Sequence, residues 1–137
     1  MDTKFNFKSA VCTSRVQSER LLALGLKPET ADMSWIISYH CECFVGNPEE
    51  LYTPDEDGCD DIYIPSWSLH RLIEMCPDYI EENYFGVSAV DVSYYFGLCE
   101  GCIGYKFVRE GGNLYDNIID CIEWLIKEGY FNKEYLV

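Results

Sequence analysis

The residues with the clearest chemical potential are two cysteines in the run Cys99-Glu100-Gly101-Cys102-Ile103-Gly104. This C-x-x-C-x-G spacing is that of a zinc knuckle, where a tight turn aims two thiolates at one tetrahedral ion. The second half of such a site is His40, Cys41 and Cys43. Alternation along an extended strand places Cys41 and Cys43 on one face, although a C-x-C pair is not the usual knuckle partner. The surroundings are acidic, and nearby carboxylates oppose the formation of thiolates. With one C-x-x-C only, the expectation is a reduced hairpin end and no cofactor. A small zinc-stabilised module held through Cys99, Cys102, Cys41 and Cys43 is the alternative.

Other chemistry fares worse. A thioredoxin-type pair sits at a helix N-terminus, where the dipole lowers the thiol pKa; Cys99 and Cys102 fall between two strands instead. Asp55-Glu56-Asp57-Gly58-Cys59-Asp60-Asp61 is dense in oxygen ligands but lacks the EF-hand glycine at position six and glutamate at position twelve. His40 and Cys41, adjacent on a strand, point apart. His70 and Glu74 are one helical turn apart, the spacing of a surface hydrogen bond. There is no G-x-S-x-G, phosphate loop or H-E-x-x-H. The reading is therefore of a protein that is not an enzyme and has no catalytic residues.

Charge is the strongest physical handle. The chain carries a net −14, from 24 acidic and 10 basic residues. Between Pro28 and Tyr105 lie sixteen acids and one base, Arg71, so this stretch holds −15 while the two ends together hold +1. The acids are densest between residues 41 and 61, where Glu49, Glu50, Asp55, Glu56, Asp57, Asp60 and Asp61 form a candidate acidic surface. Such a surface excludes phosphate-directed nucleic-acid binding, which needs a basic footprint. It suits a basic protein partner, and its sharpest use would be mimicry of nucleic acid.

The elements that position these residues follow from periodicity. Ser14 and Gln17 form a capping box, and the helix they open ends at Gly25, with Leu26 folding back on Leu21. Trp35 to Tyr39 is a β-branched and aromatic strand, and Ile62 to Ile64 is a short strand ending at Pro65. A helix starting at Pro65 or Ser66 buries Leu69, Leu72, Ile73 and Cys76 at i, i+3, i+4 and i+7. Residues 79–85 are ambiguous between a helical turn and extended chain. Val90, Val92, Tyr94 and Phe96 alternate with Asp91, Ser93 and Tyr95, and Ile103, Tyr105 and Phe107 alternate with Gly104, Lys106 and Val108. Asn113 caps a last helix with the stripe Leu114, Ile118, Cys121, Ile122 and Leu125, ended by Gly129.

This order, α-β-loop-β-α-β-β-α, is that of an α+β domain: a small antiparallel sheet of three to four strands packed by about three helices. One domain spans 1–137, with a loosely ordered lead-in at 1–13 and an acidic loop at 41–61. A hydrophobic share of 48% with 15% aromatics argues against disorder despite the charge. Residues 1–16 lack a continuous apolar h-region and no stretch is long enough to span a bilayer, so a cytoplasmic protein with no membrane contact is expected. The eight cysteines are then expected to be free thiols, Cys76 and Cys121 among them as buried apolar groups.

Three blocks carry a family resemblance. The first is Thr13-Ser14, Gln17-Ser18-Glu19-Arg20-Leu21-Leu22-Ala23-Leu24-Gly25-Leu26 and Glu29-Thr30-Ala31-Asp32-Met33. The second is Pro65-Ser66-Trp67-Ser68-Leu69 with Leu72-Ile73, and the third is Asp116-Asn117 with Trp124-Leu125. In these the chain resembles an uncharacterised family of small phage and prophage proteins of gut Bacteroides-type bacteria. The resemblance implies a mobile-element setting in a bacterial host; it carries over no activity and says nothing of catalytic residues. The functional expectation is a non-enzymatic accessory protein that acts through protein–protein contacts with an unidentified, basic partner.

Overall fold

The computed structural model describes residues 9–37, 44–46, 62–99 and 101–137. Three α-helices are present there: α1 (Arg15–Ala23), α2 (Leu69–Met75) and α3 (Leu114–Glu128). Seven strands accompany them: β1 (Met33–Ile37), β2 (Phe44–Gly46), β3 (Ile62–Ser66), β4 (Tyr79–Ile80), β5 (Asn83–Ser88), β6 (Asp91–Cys99) and β7 (Cys102–Arg109). They form two antiparallel sheets, of order β2-β1-β3 and β4-β5-β6-β7. The fold is α+β.

Local chemistry sets the helix ends. The Ser14 hydroxyl accepts from Gln17 N–H at 3.2 Å while the Gln17 side chain accepts from Ser14 N–H at 2.8 Å, completing the capping box. At the other end Leu26 N–H donates to Leu21 C=O and Gly25 N–H to Leu22 C=O, the two bonds of a Schellman ending. That ending requires the left-handed backbone at Gly25 (φ 101°), and it buries Leu21 against Leu26. Ser68, not Ser66, caps α2, because Ser66 is still in β3. The Ser68 hydroxyl accepts from Arg71 N–H and donates to Asp32 at 2.5 Å, so the cap is itself held from a distant segment. Asn113 caps α3, and Gly129 (φ 82°) ends it as the sequence requires.

The core lies between α3 and the inner face of the four-stranded sheet. Ile118, Ile119, Cys121, Ile122 and Leu125 of α3 are fully buried, each of the large apolar chains contributing roughly 1.5–3 kcal/mol of transfer free energy. Val92, Tyr94 and Phe107 meet them from the sheet, and Leu21, Trp67 and Leu72 close the sides. Arg20 ties α1 to α3 through Asp120 at 2.6 Å and Glu123 at 2.8 Å. The C-terminus returns to the end of α1, with Val137 N–H donating to Gly25 C=O at 2.8 Å.

Several elements depart from expectation. Strand β3 runs on through Pro65, which pairs with Ser34; β3 is an edge, where a missing N–H costs no ladder bond. Strand β1 starts two residues earlier than its sequence reading, at Met33, and the expected residues Ser38 and Tyr39 lie outside the described residues. Residues 79–85 form the β4–β5 hairpin rather than a helical turn, with Ile80 opposite Asn83. The strands also divide between two sheets, since β1 pairs with β3 and the meander from β4 to β7 pairs only with itself.

Candidate functional site

The four-stranded sheet has one face on α3 and, among the described residues, one face left exposed. Strand alternation sends Phe85, Tyr94 and Phe107 inward, so Tyr84 and Tyr95 point outward. On β7 simple alternation would turn Tyr105 inward with Phe107. A β-bulge prevents this: Tyr94 pairs with Phe107 and Tyr95 with Tyr105, leaving Lys106 as the extra residue. The bulge reverses the phase of β7, and Ile103 and Tyr105 emerge on the open face, 59% and 49% exposed. Lys106 is held by Glu81 at 2.9 Å and lies over the Tyr130 ring. That ion pair lowers the Glu81 carboxyl pKa and raises that of the Lys106 amine.

The resulting register aligns four tyrosines. Tyr79 is opposite Tyr84, Tyr84 opposite Tyr95, and Tyr95 opposite Tyr105. One tyrosine from each strand thus forms a row across the sheet, about 14 Å long at the usual strand spacing. Ring centroids are 5.2 Å apart for Tyr79–Tyr84 and 6.3 Å for Tyr84–Tyr95, with planes inclined by 64° and 48°. The rings therefore make a ridge with clefts and not a flat platform. All four keep between 37% and 56% of their surface in water.

A groove runs beside this ridge for a simple reason. The next row on the same face is Gly86, Ser93 and Val108, paired in that order, and these side chains are short where the tyrosines are tall. Gly86 has to be small: a Cβ there would sit 2.8 Å from the Tyr95 ring, which lies across it. Beyond this low row, Asp91 and Glu110 form the far rim. The groove is open to solvent along its length and has a volume of about 390 Å³. Among the described residues lining it are two carboxylates and no base. The Asp91 carboxylate is oriented by Gly111 N–H, which donates to it at 2.8 Å. The bases nearest in sequence, Lys106 and Arg109, are engaged by Glu81 and Asp120 instead.

Most of the residues singled out from sequence are not described. Cys41, Cys43 and the acidic surface Glu49, Glu50, Asp55, Glu56, Asp57, Asp60 and Asp61 lie outside the described residues, as does His40. The backbones of Cys99 and Cys102 pair in register at the β6–β7 turn, and Cys102 is an exposed free thiol. Among the described residues no three His, Cys, Asp or Glu side chains gather in a way that could hold a metal ion. Cys76 and Cys121 are buried and free. A hydrogen bond with Cys76 and burial push the Cys121 thiol far above its ordinary pKa, and burial raises that of Cys12; neither thiol is poised as a nucleophile. His70 and Glu74 form an exposed pair at 3.2 Å.

The tyrosine row escapes a residue-by-residue reading because it exists only across four strands. One local signal pointed to it: Tyr94-Tyr95 puts an aromatic on both faces of one strand, and only one face can be core.

Segments 13–33, 65–73 and 116–125 converge in a polar seam. Thr13 Oγ1 meets Ser18 Oγ at 2.8 Å and accepts from Trp67 N–H at 3.1 Å. The Trp67 indole N–H donates to Thr30 Oγ1 at 3.0 Å, and Gln17 Nε2 donates to Asp116 at 2.8 Å. This seam joins α1, the end of β3, the segment before β1 and the start of α3, so those segments hold the fold together. Compared with models of known families, with curated proteins and with solved structures, the chain matches none. No helix among the described residues is long and apolar enough to cross a membrane.

Proposed function

We propose that this protein is a non-enzymatic binding module that docks a basic protein partner on the open face of its four-stranded sheet. The observation that carries this reading is the in-register row Tyr79, Tyr84, Tyr95 and Tyr105. Tyrosine supplies large amphipathic contact area at little entropic cost, which is why it is enriched at interface anchors. Exposed apolar residues on a monomer are normally scattered. Here five of them, the four tyrosines and Ile103, share one face. The partner is taken as basic because the groove lining and the whole chain are acidic, and complementary charge speeds encounter. An accessory role in a bacterial mobile element, which the resemblance implies, fits a small protein that works by contact alone.

The test uses the full chain immobilised as bait against a lysate of a gut Bacteroides-type bacterium. Alongside it runs the double variant Tyr95→Thr with Tyr105→Thr, which removes the rings and puts strand-favouring β-branched residues in their place. The variant should fold, by circular dichroism and cooperative thermal unfolding, and should lose the basic proteins that the parent retains at low salt. A folded double variant that retains the same proteins defeats the reading.

A further inference from the structure

We infer that the groove between the tyrosine row and the acidic rim receives an arginine side chain carried on an extended segment of the partner. This rests on the docking face proposed above and names what that face recognises.

The groove has three features in a fixed order across the sheet. A ridge with Tyr95 and Tyr105 stands on one side, a low row of Gly86, Ser93 and Val108 lies in the middle, and Asp91 and Glu110 stand on the other. Successive rows on one face of a strand are about 6.7 Å apart. The ridge and the acidic rim are therefore about 13 Å apart between backbone rows, and the Tyr95 ring, which lies across Gly86, narrows that gap from the ridge side. A ligand filling this space must offer a flat or apolar surface to the rings and positive charge to the rim. The guanidinium does both: it is planar, stacks on aromatic faces, is weakly hydrated, and forms paired hydrogen bonds with carboxylates. A lysine can also lie over a ring, but its compact, strongly hydrated ammonium offers no planar stacking surface and no paired hydrogen bonds to a carboxylate.

Charge selects the sign of the ligand. No base lines the groove among the described residues. Lys106 and Arg109, which share β7 with Tyr105, are engaged by Glu81 at 2.9 Å and Asp120 at 3.4 Å. A phosphate or nucleic-acid strand would meet two carboxylates with no compensating cation, so stacking alone would have to hold it. Asp91 is pre-oriented by Gly111 N–H, which lowers the ordering cost of receiving a donor there. The volume of about 390 Å³ lies near the small end of the range for ligand sites, which suits one or two side chains.

The experiment titrates isotope-labelled protein with a capped Thr-Arg-Thr-Arg-Thr peptide and with the same peptide carrying citrulline for arginine, read by NMR chemical shifts. Citrulline keeps the planar shape and removes the charge. The arginine peptide should shift Tyr95, Tyr105, Ser93 and Val108. Citrulline should weaken binding by about tenfold, the equivalent of one charge-assisted hydrogen bond. Asp91→Asn with Glu110→Gln should do the same to the arginine peptide, since the amide carbonyl introduced at position 91 still accepts from Gly111 N–H. Equal binding of the two peptides overturns the inference. So does the absence of any shift at those four residues at millimolar peptide, or a shift of them by cellohexaose and not by the arginine peptide. If the Tyr95/Tyr105 double variant loses its partners while the two peptides bind alike, the docking face stands and only the arginine assignment falls. If the double variant keeps its partners, the docking face itself falls.

Discussion

Thr13 holds three segments at one point, and its hydroxyl is the reason. The side-chain oxygen accepts from Trp67 N–H and shares a hydrogen bond with Ser18, while its backbone N–H donates to Trp67 C=O and its C=O accepts from the Trp35 indole. Thr13, Ser18 and Trp67 are all fully buried, so no water can replace a lost partner. Replacing the hydroxyl by a methyl group keeps the shape and strands two buried polar groups. Thr13→Val should therefore cost about 1–3 kcal/mol in urea unfolding, whereas Thr13→Ser should cost under about 1 kcal/mol. Equal stabilities for the two variants would show that the hydroxyl carries nothing. The same logic explains why Tyr94, buried in the core, keeps its O–H on the Pro77 carbonyl at 2.7 Å, with burial raising its pKa far above the ordinary value.

Among the elements, the β4–β5 hairpin is the most strained. Its two turn residues, Glu81 (φ 42°) and Glu82 (φ 68°), both occupy the left-handed region of a type I′ turn, where Asn-Gly is the favoured pair. A side chain there costs roughly 1–2 kcal/mol, and the larger entropy of a glycine in the unfolded chain offsets part of any relief. Glu82→Gly leaves the Glu81–Lys106 ion pair in place and should stabilise the protein by about 0.5–1 kcal/mol in urea unfolding; no gain would mean that the turn carries no such strain. This turn also shows where sequence reading stops. Most helix ends are legible because a cap is a local event: Ser14-Gln17, Gly25-Leu26, Asn113 and Gly129 all behave as their spacing requires. The start of α2, by contrast, shifts to Ser68 because β3 runs on through Ser66. Glu81-Glu82 carries no turn signature, so the hairpin it makes was hidden. The phase of β7 was hidden too, because a bulge at Lys106 depends on the partner strand. The tyrosine row inherits both obscurities, since Tyr79 needs the hairpin and Tyr105 needs the bulge. Tyr95 alone was placed correctly, opposite the buried Tyr94.

At the scale of the whole molecule, charge acts on stability and association together. With 24 acids against 10 bases, most carboxylates have no basic partner to meet. Of the bases, Arg20, Lys106 and Arg109 are engaged in ion pairs at or near the surface. Exposed pairs of this kind contribute little and weaken further in salt. The uncompensated −14 acts in the opposite direction, because a compact chain concentrates like charges and self-repulsion destabilises it. The two effects differ in range. At 0.01 M salt the Debye length is about 30 Å, so charges across a domain of this size all repel; at 1 M it is about 3 Å and only contact pairs survive. Added salt therefore removes a repulsion that sums over many pairs while weakening only a few attractions. The thermal midpoint should rise by about 3–6 °C between 10 mM and 0.5 M sodium chloride, the equivalent of roughly 1–2 kcal/mol for a domain of this length. Sodium chloride is the appropriate salt, since sulfate would stabilise through its exclusion from the surface. Complex formation with a basic partner should move the other way and weaken over the same range. A thermal midpoint that falls as salt is added would mean that the ion pairs outweigh the repulsion, and the acidic excess would then have no share in setting stability.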